Sequence, residues 1–267
     1  MRWRRNSLLF NWLKPRTLII VIEYDGTEFA GWQVQPGKRT VQGELEAALE
    51  KLTGESHRVV AAGRTDSGVH AWGQVAHCKT SSDLEPHEFR GALNSLLPRD
   101  AVVLDVRDGP AGFDARRHAR GKIYRYIIIN RRERPAIERN RAWHVREPLD
   151  VAAMRRGARF LLGEHDFRSF RGQKCASKTT VRVIRRIDVN KEPPDKVIIE
   201  VEATALLRQM IRAIAGTLVE VGRRKWLPGR VLEALNALDR RMAGPTAPPQ
   251  GLYLAEVQYD ETEMEEV

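Results

Sequence analysis

The stretch AGRTDSGVHA at residues 62–71 is the most informative part of this chain of 267 residues. Gly63 and Gly68 permit backbone angles that other residues avoid, so the stretch predicts a tight loop rather than a helix. Asp66 stands two residues after Arg64, whose cation would pair with and favour the ionised carboxylate. These features are typical of an active-site loop, and they are equally typical of a surface turn with a salt bridge.

Strands and helices flank this loop on both sides. Alternating and β-branched apolar runs predict strands at residues 17–24, 58–62, 74–77, 101–106, 123–129, 181–189, 197–203 and 252–257. Helical spacing of apolar residues predicts helices at residues 41–52, 86–97, 151–162 and 206–221, with Thr40 and Asp150 as N-caps. Because the elements do not follow a strict βαβ alternation, the predicted fold class is α+β, with two similar α/β halves that share a largely antiparallel sheet.

The charge is unevenly distributed along the chain. There are 45 Lys and Arg against 35 Asp and Glu, which gives a net charge of +10 and favours a polyanionic partner. Residues 115–146 contain eleven Lys and Arg and two Asp and Glu. We predict a basic extension at residues 1–16, an N-terminal half at 17–110 that contains the loop, a C-terminal half at 111–260, and an acidic tail at 261–267.

The composition argues against several other classes of protein. Cys78 and Cys175 fit neither a zinc spacing nor a disulfide framework, which predicts a reducing, cytoplasmic location. No apolar run approaches the roughly 18 residues of a membrane helix. The sequence has no dinucleotide fingerprint and no Gly-rich phosphate loop, and His70 and His77 have no partner at metal spacing. We therefore expect no metal and no cofactor.

Eight segments together resemble the tRNA pseudouridine synthase A family along nearly the whole chain. They are YDGT at residues 24–27, GWQ at 31–33, TVQ at 40–42, GRTDSGVHA at 63–71 followed by GQV at 73–75, KIYRY at 122–126, GEHDF at 163–167, LRQM at 207–210 and GLYL at 251–254. The resemblance implies the pseudouridine synthase fold, with the active-site cleft between the two halves. It also implies isomerisation of uridine to pseudouridine at positions 38, 39 and 40 of the tRNA anticodon stem-loop, without a cofactor, by a homodimer.

The resemblance assigns roles to five residues. It places the nucleophile at Asp66, and Arg64 is the catalytic residue beside it in the loop that would pair with it and could also meet a phosphate. It gives Tyr124 contact with the substrate and a candidate catalytic part in handling the C5 proton. Arg208 would reach Asp66 or a phosphate of the tRNA, and Leu252 would form an apolar wall against the base. From the residues alone, Tyr124 and Leu252 are equally compatible with core packing. Arg208, which shares a flank of the predicted helix with Arg212, is also compatible with a charged side chain that merely borders the core.

Two other functions remain open from the residues alone. A non-catalytic RNA-binding protein would keep the basic segments and the aromatic residues, but it would not need Asp66. A nucleoside hydrolase could use Asp66 as its nucleophile, but it would need a second carboxylate to activate water, and no acidic residue near the loop clearly serves. Release of free uracil would distinguish the hydrolase from the isomerase.

Overall fold

The computed structural model describes residues 15–173, 175 and 177–260. The predicted acidic tail at residues 261–267 lies outside the described residues, as does the predicted basic extension apart from its last two residues. Within the described ranges, no helix is both long enough and apolar enough to cross a membrane. The division into halves near residue 110 stays a prediction.

The described part of the chain forms one sheet with α-helices packed against it. The sheet has ten strands there: β1 Arg16–Tyr24, β2 Val60–Ala61, β3 His70–Thr80, β4 Ala101–Gly109, β5 Gly121–Asn130, β6 Trp143–Val145, β7 Gly163–Asp166, β8 Val181–Glu192, β9 Lys196–Ala203 and β10 Leu252–Gln258. The five α-helices of these ranges are α1 Val41–Thr53, α2 Pro86–Leu96, α3 Val151–Ala158, α4 Met210–Gly222 and α5 Arg230–Ala237.

The sheet confirms the predicted fold class. Its strands lie in the order β4-β1-β3-β10-β5-β9-β8-β7, with β2 beside β3 and β6 beside β5. The pairs are antiparallel except β3 with β10 and β5 with β6. Helices α1 and α2 come from the first half and α3, α4 and α5 from the second, so each half contributes strands and helices.

The last strand of the chain joins the two halves. Tyr253 lies beside His70 in the parallel β3–β10 pair. On the other side of β10, Leu252 faces Tyr126 and Leu254 faces Tyr124 of β5 in antiparallel register. This insertion of β10 brings the strand that follows the 62–69 loop close to the strand that contains Tyr124.

Several helix ends follow from the local sequence as predicted. The Thr40 side chain accepts a hydrogen bond from the Gly43 N–H at the start of α1, and Gly54 ends that helix at a φ of 74°. Asp150 accepts from the Ala153 N–H at the start of α3. Pro86 occupies the first turn of α2, where its missing N–H costs no hydrogen bond.

The boundaries of two predicted helices are wrong. Helix α4 begins at Met210 rather than at residue 206, because Gln209 adopts a left-handed backbone with a φ of 59°. Arg208 therefore lies in the turn before the helix and not on it. The apolar pattern continued through this turn because Leu207 is buried there as well. Helix α3 ends at Ala158 and is followed by a short 3-10 turn, and α5 was not predicted.

Candidate active site

The 62–69 loop lines a cleft of about 1180 Å³. Both halves contribute to the walls of this cleft. The first half supplies the loop and Trp32, and the second supplies Lys122, Tyr124, Leu252 and residues 204–211. This arrangement agrees with the prediction of a cleft between the halves, and all five predicted site residues line it.

The loop is fixed by hydrogen bonds to the segment that follows β1. The Trp32 N–H donates to the Thr65 carbonyl at 3.1 Å, and the Gly68 N–H donates to the Phe29 carbonyl at 3.4 Å. The hydroxyls of Tyr24 and Thr65 lie 2.8 Å apart in the buried interior. These contacts come from residues about forty positions away in the sequence, so the loop conformation depends on tertiary structure.

Glycine is required where this segment crosses the loop. Gly31 has a φ of +99°, and a Cβ there would lie 2.7 Å from the Thr65 carbonyl oxygen. A Cβ on Gly26 would lie 2.0 Å from the Val69 carbonyl oxygen. Both contacts are with backbone atoms, which cannot rotate away as a side chain could. The absence of a side chain at these two glycines therefore allows the segment to pack directly against the loop that contains Asp66.

A buried histidine joins the same segment to β10. His70 accepts a hydrogen bond from the Gly26 N–H at Nδ1, 3.0 Å, and its Nε2 lies 3.2 Å from the Gln250 carbonyl. The same Nδ1 also lies 3.1 Å from the Asp25 carboxylate oxygen Oδ1. The Gly26 contact fits a neutral imidazole with its proton on Nε2, whereas the Asp25 contact is favourable with a proton on Nδ1. Tyr253 stacks on the ring at a centroid distance of 4.7 Å. Burial lowers the pKa of His70, against an opposing contribution from the Asp25 carboxylate.

Acid is expected to destabilise the fold through His70. Because its folded pKa is below the ordinary value of 6.5, the unfolded chain binds the proton more readily, and stability is lost as the pH falls from about 6.5 through the folded pKa. In the His70→Gln variant, the free energy of unfolding should fall less than in the wild type between about pH 7.5 and about pH 5.5. Urea titration at both pH values measures this difference, and equal losses in the two proteins would contradict it.

Two arginines from the second half face Asp66. The Arg208 Nε lies 3.6 Å from Oδ1 of the carboxylate, and the Arg212 Nη1 lies 3.6 Å from Oδ2. Arg212 is the more buried of the two, with a side chain 12% exposed against 50% for Arg208. Its Nε also donates to the Ala247 carbonyl at 2.7 Å. The carboxylate is thus held between a buried cation and a cation at the mouth of the cleft.

The predicted pairing of Arg64 with Asp66 is wrong. Arg64 is exposed, and within residues 15–173, 175 and 177–260 it forms no ion pair with Asp66. Arg212 pairs with the carboxylate instead. Burial lowers the pKa of its guanidinium, so leaving this charge without a partner would cost more free energy than it does for the exposed Arg64. In the sequence, Arg212 shared a predicted flank with Arg208 but had no assigned role. Its position four residues after Arg208 was the available signal.

Tyr124 faces the cleft from β5 and is 7% exposed. Burial raises the pKa of its phenol, and the nearby Tyr24 and Asp66 raise it further, so the hydroxyl stays protonated at neutral pH. Tyr126, two residues on, is fully buried and donates its hydroxyl proton to the Pro248 carbonyl at 2.8 Å. The two tyrosines therefore differ, since Tyr124 borders the cleft and Tyr126 belongs to the core.

Leu252 forms an apolar part of the cleft wall at the start of β10. It is 6% exposed and lies opposite Tyr126 on the neighbouring strand. A Cβ on the preceding Gly251 would lie 2.7 Å from the Tyr126 ring, so the chain passes tightly over that ring into Leu252. The cleft consequently has an apolar side near Leu252 and a charged side around Asp66 and Arg208, and Arg212 contacts the same Asp66 carboxylate.

Comparisons with known proteins identify the family to which the chain belongs. The family model described as tRNA pseudouridine synthase matches residues 20–116 and 158–260. The tRNA pseudouridine synthase A of Myxococcus xanthus is 48% identical over 245 residues, 92% of each chain. The enzymes of that name from Geotalea daltonii and Caldicellulosiruptor bescii are 45% and 43% identical over 91% of this chain and 100% of their own. The chain belongs to the tRNA pseudouridine synthase family, as the sequence motifs predicted.

Comparison with solved structures adds a distant likeness. A chain from the crystal structure of a Cbf5–Nop10–Gar1 complex aligns with 90% of this chain and 60% of its own, at 14% identity and a TM-score of 0.33. At that distance the likeness carries no argument about the site. In the described part of the chain, no group of three or more His, Cys, Asp or Glu residues is arranged to hold a metal ion.

Proposed function

We propose that this chain converts uridine to pseudouridine at positions 38, 39 and 40 of the tRNA anticodon stem-loop, with Asp66 as the nucleophile and without a cofactor. The observation that carries the proposal is the Asp66 carboxylate, which lines the cleft between Arg208 and Arg212 with its oxygens 3.6 Å from each guanidinium. Family membership supports the reaction, and the assignment of positions 38 to 40 rests on the motifs in the sequence.

The reaction is an isomerisation, so its atoms balance within the nucleotide. The bond between the ribose C1′ and the uracil N1 breaks, a bond between C1′ and C5 forms, the proton leaves C5, and N1 gains a proton. Neither water nor a redox partner is consumed. Asp66 would act as an ionised carboxylate, either by adding to the base or by assisting at the sugar. Both routes require the Asp66 carboxylate to be held in a fixed position, and the hydrogen bonds of the 62–69 loop support that requirement.

The remaining cleft residues have complementary parts in this proposal. Arg212, being buried, orients the Asp66 carboxylate. Arg208 and the exposed Arg64 are suited to phosphates, which stay near solvent. Tyr124 and Leu252 would enclose a base that has left its stack. The raised pKa of Tyr124 keeps its phenol protonated, so the hydroxyl can donate a hydrogen bond, and a part in removing the C5 proton would require another group to take the phenol proton.

The proposal includes a cytoplasmic homodimer, as in the family that the sequence resembles. The free thiols of Cys78 and Cys175 support a reducing location. A dimer would let one tRNA contact basic segments on two subunits. Sedimentation equilibrium at micromolar concentration tests this part, and a monomer that is fully active would contradict it.

Four unmodified tRNA transcripts test the reaction. Three contain uridine at only one of positions 38, 39 and 40, and the fourth contains cytidine at all three. We expect pseudouridine in the first three and none in the fourth, measured by mass spectrometry of ribonuclease fragments. Binding of all four without product would favour an RNA-binding protein, and accumulation of free uracil would favour a hydrolase.

A further inference from the structure

Lys122 is a buried cation that the proposed mechanism has not used. It lies two residues before Tyr124 on β5, and both side chains line the cleft, as strand alternation requires. The residue is only 8% exposed. Lysines are almost never buried to this extent unless an anion accompanies them.

Among the residues that the structure describes, no such anion accompanies Lys122. Its ammonium group takes part in no ion pair and no hydrogen bond within those ranges. Burial, together with the nearby Arg116 cation, lowers its pKa. Arg212, a largely buried cation beside the cleft, contacts both the Asp66 carboxylate and the Ala247 carbonyl. Lys122 therefore retains an unused capacity to donate hydrogen bonds into the cleft.

Gly63 fixes where the lysine side chain runs. A Cβ on Gly63 would lie 3.1 Å from Cε of Lys122, 3.5 Å from its Cδ and 3.7 Å from the Tyr124 hydroxyl oxygen. The lysine side chain thus passes over the bare backbone of the loop, three residues before Asp66, and both it and the Tyr124 hydroxyl approach the same face of Gly63. Any larger residue at position 63 would occupy that path.

We propose that the Lys122 ammonium donates a hydrogen bond to a carbonyl oxygen of the uracil and stabilises the negative charge on the base during the reaction. This inference rests on the proposed function. When the bond between C1′ and N1 breaks, its electron pair stays with the uracil and spreads over the ring nitrogens and the two carbonyl oxygens. The same electrons then form the bond from C5 to C1′, after which C5 loses its proton.

A base contact fits Lys122 better than a phosphate contact. A phosphate remains close to solvent, and the exposed Arg64 and the half-exposed Arg208 already line that part of the cleft. Lys122 lies instead beside Tyr124, against which the base would stack. Its ammonium group is a compact charge that can rotate its donors toward a carbonyl oxygen.

The test compares Lys122→Met with the wild type in single turnovers on a transcript with one uridine. We expect the rate of pseudouridine formation at saturating enzyme to fall by about 10²- to 10³-fold, as for the loss of one donor to a developing anion. The dissociation constant for tRNA should change by less than about threefold, because the proposed contact strengthens only as the glycosidic bond breaks. Lys51→Met, on the exposed face of α1, is the matched control and should retain the wild-type rate.

Each other outcome overturns the inference. A weaker tRNA affinity with an unchanged saturated rate would assign Lys122 to a phosphate, and no change in either quantity would leave it without a role. The melting temperature of Lys122→Met should equal or exceed that of the wild type, because methionine keeps the packing of the buried side chain and removes a cation whose charged form burial disfavours. A fall in melting temperature would show that the ammonium has a structural partner. If the wild type forms no pseudouridine, the proposed function itself is wrong.

Discussion

Replacement of Asp66 by Asn is expected to lower the rate of pseudouridine formation by at least about 10⁴-fold, the scale seen when a catalytic nucleophile is removed. The amide nearly preserves the shape of the side chain but carries no charge with which to attack the base or assist at the sugar. The tRNA should still bind, because the substitution leaves Arg64 and Arg208, the arginines proposed to contact phosphates, in place. The measurements are single-turnover pseudouridine formation and the dissociation constant for tRNA.

The Asp66→Asn substitution should also lower the stability of the folded protein, but only by a limited amount. The neutral amide can still accept a hydrogen bond from the largely buried Arg212 through its oxygen, but it no longer balances the guanidinium charge, so the melting temperature should fall. The loss is restrained because both contacts to the carboxylate are 3.6 Å long and the Asp66 side chain is 24% exposed. Asp195→Asn is the matched control, since it removes a carboxylate paired with Arg131 rather than one that lines the cleft. Equal product from Asp66→Asn and the wild type would place the nucleophile elsewhere.

Replacement of Gly26 by Ala is expected to destabilise the protein by about 3 kcal/mol or more, at the upper end of what single substitutions do. The new Cβ would meet the Val69 carbonyl oxygen at 2.0 Å and the Val69 carbonyl carbon at 2.5 Å. Neither atom can rotate aside, so the turn after β1 or the loop that contains Asp66 must move. The free energy of unfolding in urea measures the cost.

The same substitution should also slow the reaction in the molecules that remain folded. A displacement of about 1 Å at a catalytic group can cost about 10²-fold in rate. We expect a loss of that size in single turnovers at a temperature where the variant is still folded. Gly91→Ala is the control, because a Cβ there meets nothing within 4 Å. In the middle of α2 it should stabilise the protein by about 0.5–1 kcal/mol. A Gly26→Ala protein with normal stability and rate would contradict the proposed role of this crossing.

Local patterns in the sequence predicted the elements that depend on near neighbours. Strand β1 and helix α1 occur where the apolar spacing, the Thr40 cap and Gly54 indicated. The start of α4 was missed by four residues, because the left-handed backbone at Gln209 follows from its surroundings and not from an apolar period. The family, the loop and Asp66 as the candidate nucleophile were available from the sequence because the motifs are contiguous.

Only the tertiary structure decided which groups meet across the cleft. The sequence favoured Arg64 as the partner of Asp66, two residues away, whereas the fold supplies Arg208 and Arg212 from more than 140 residues away. It also places β10 between β3 and β5 and leaves Lys122 buried beside Tyr124. Such contacts depend on strand order, on register and on the close approach of backbones at Gly26 and Gly31. A local pattern does not contain that information, because a side chain's spacing along its own strand or helix says nothing about which distant segment will pack against it.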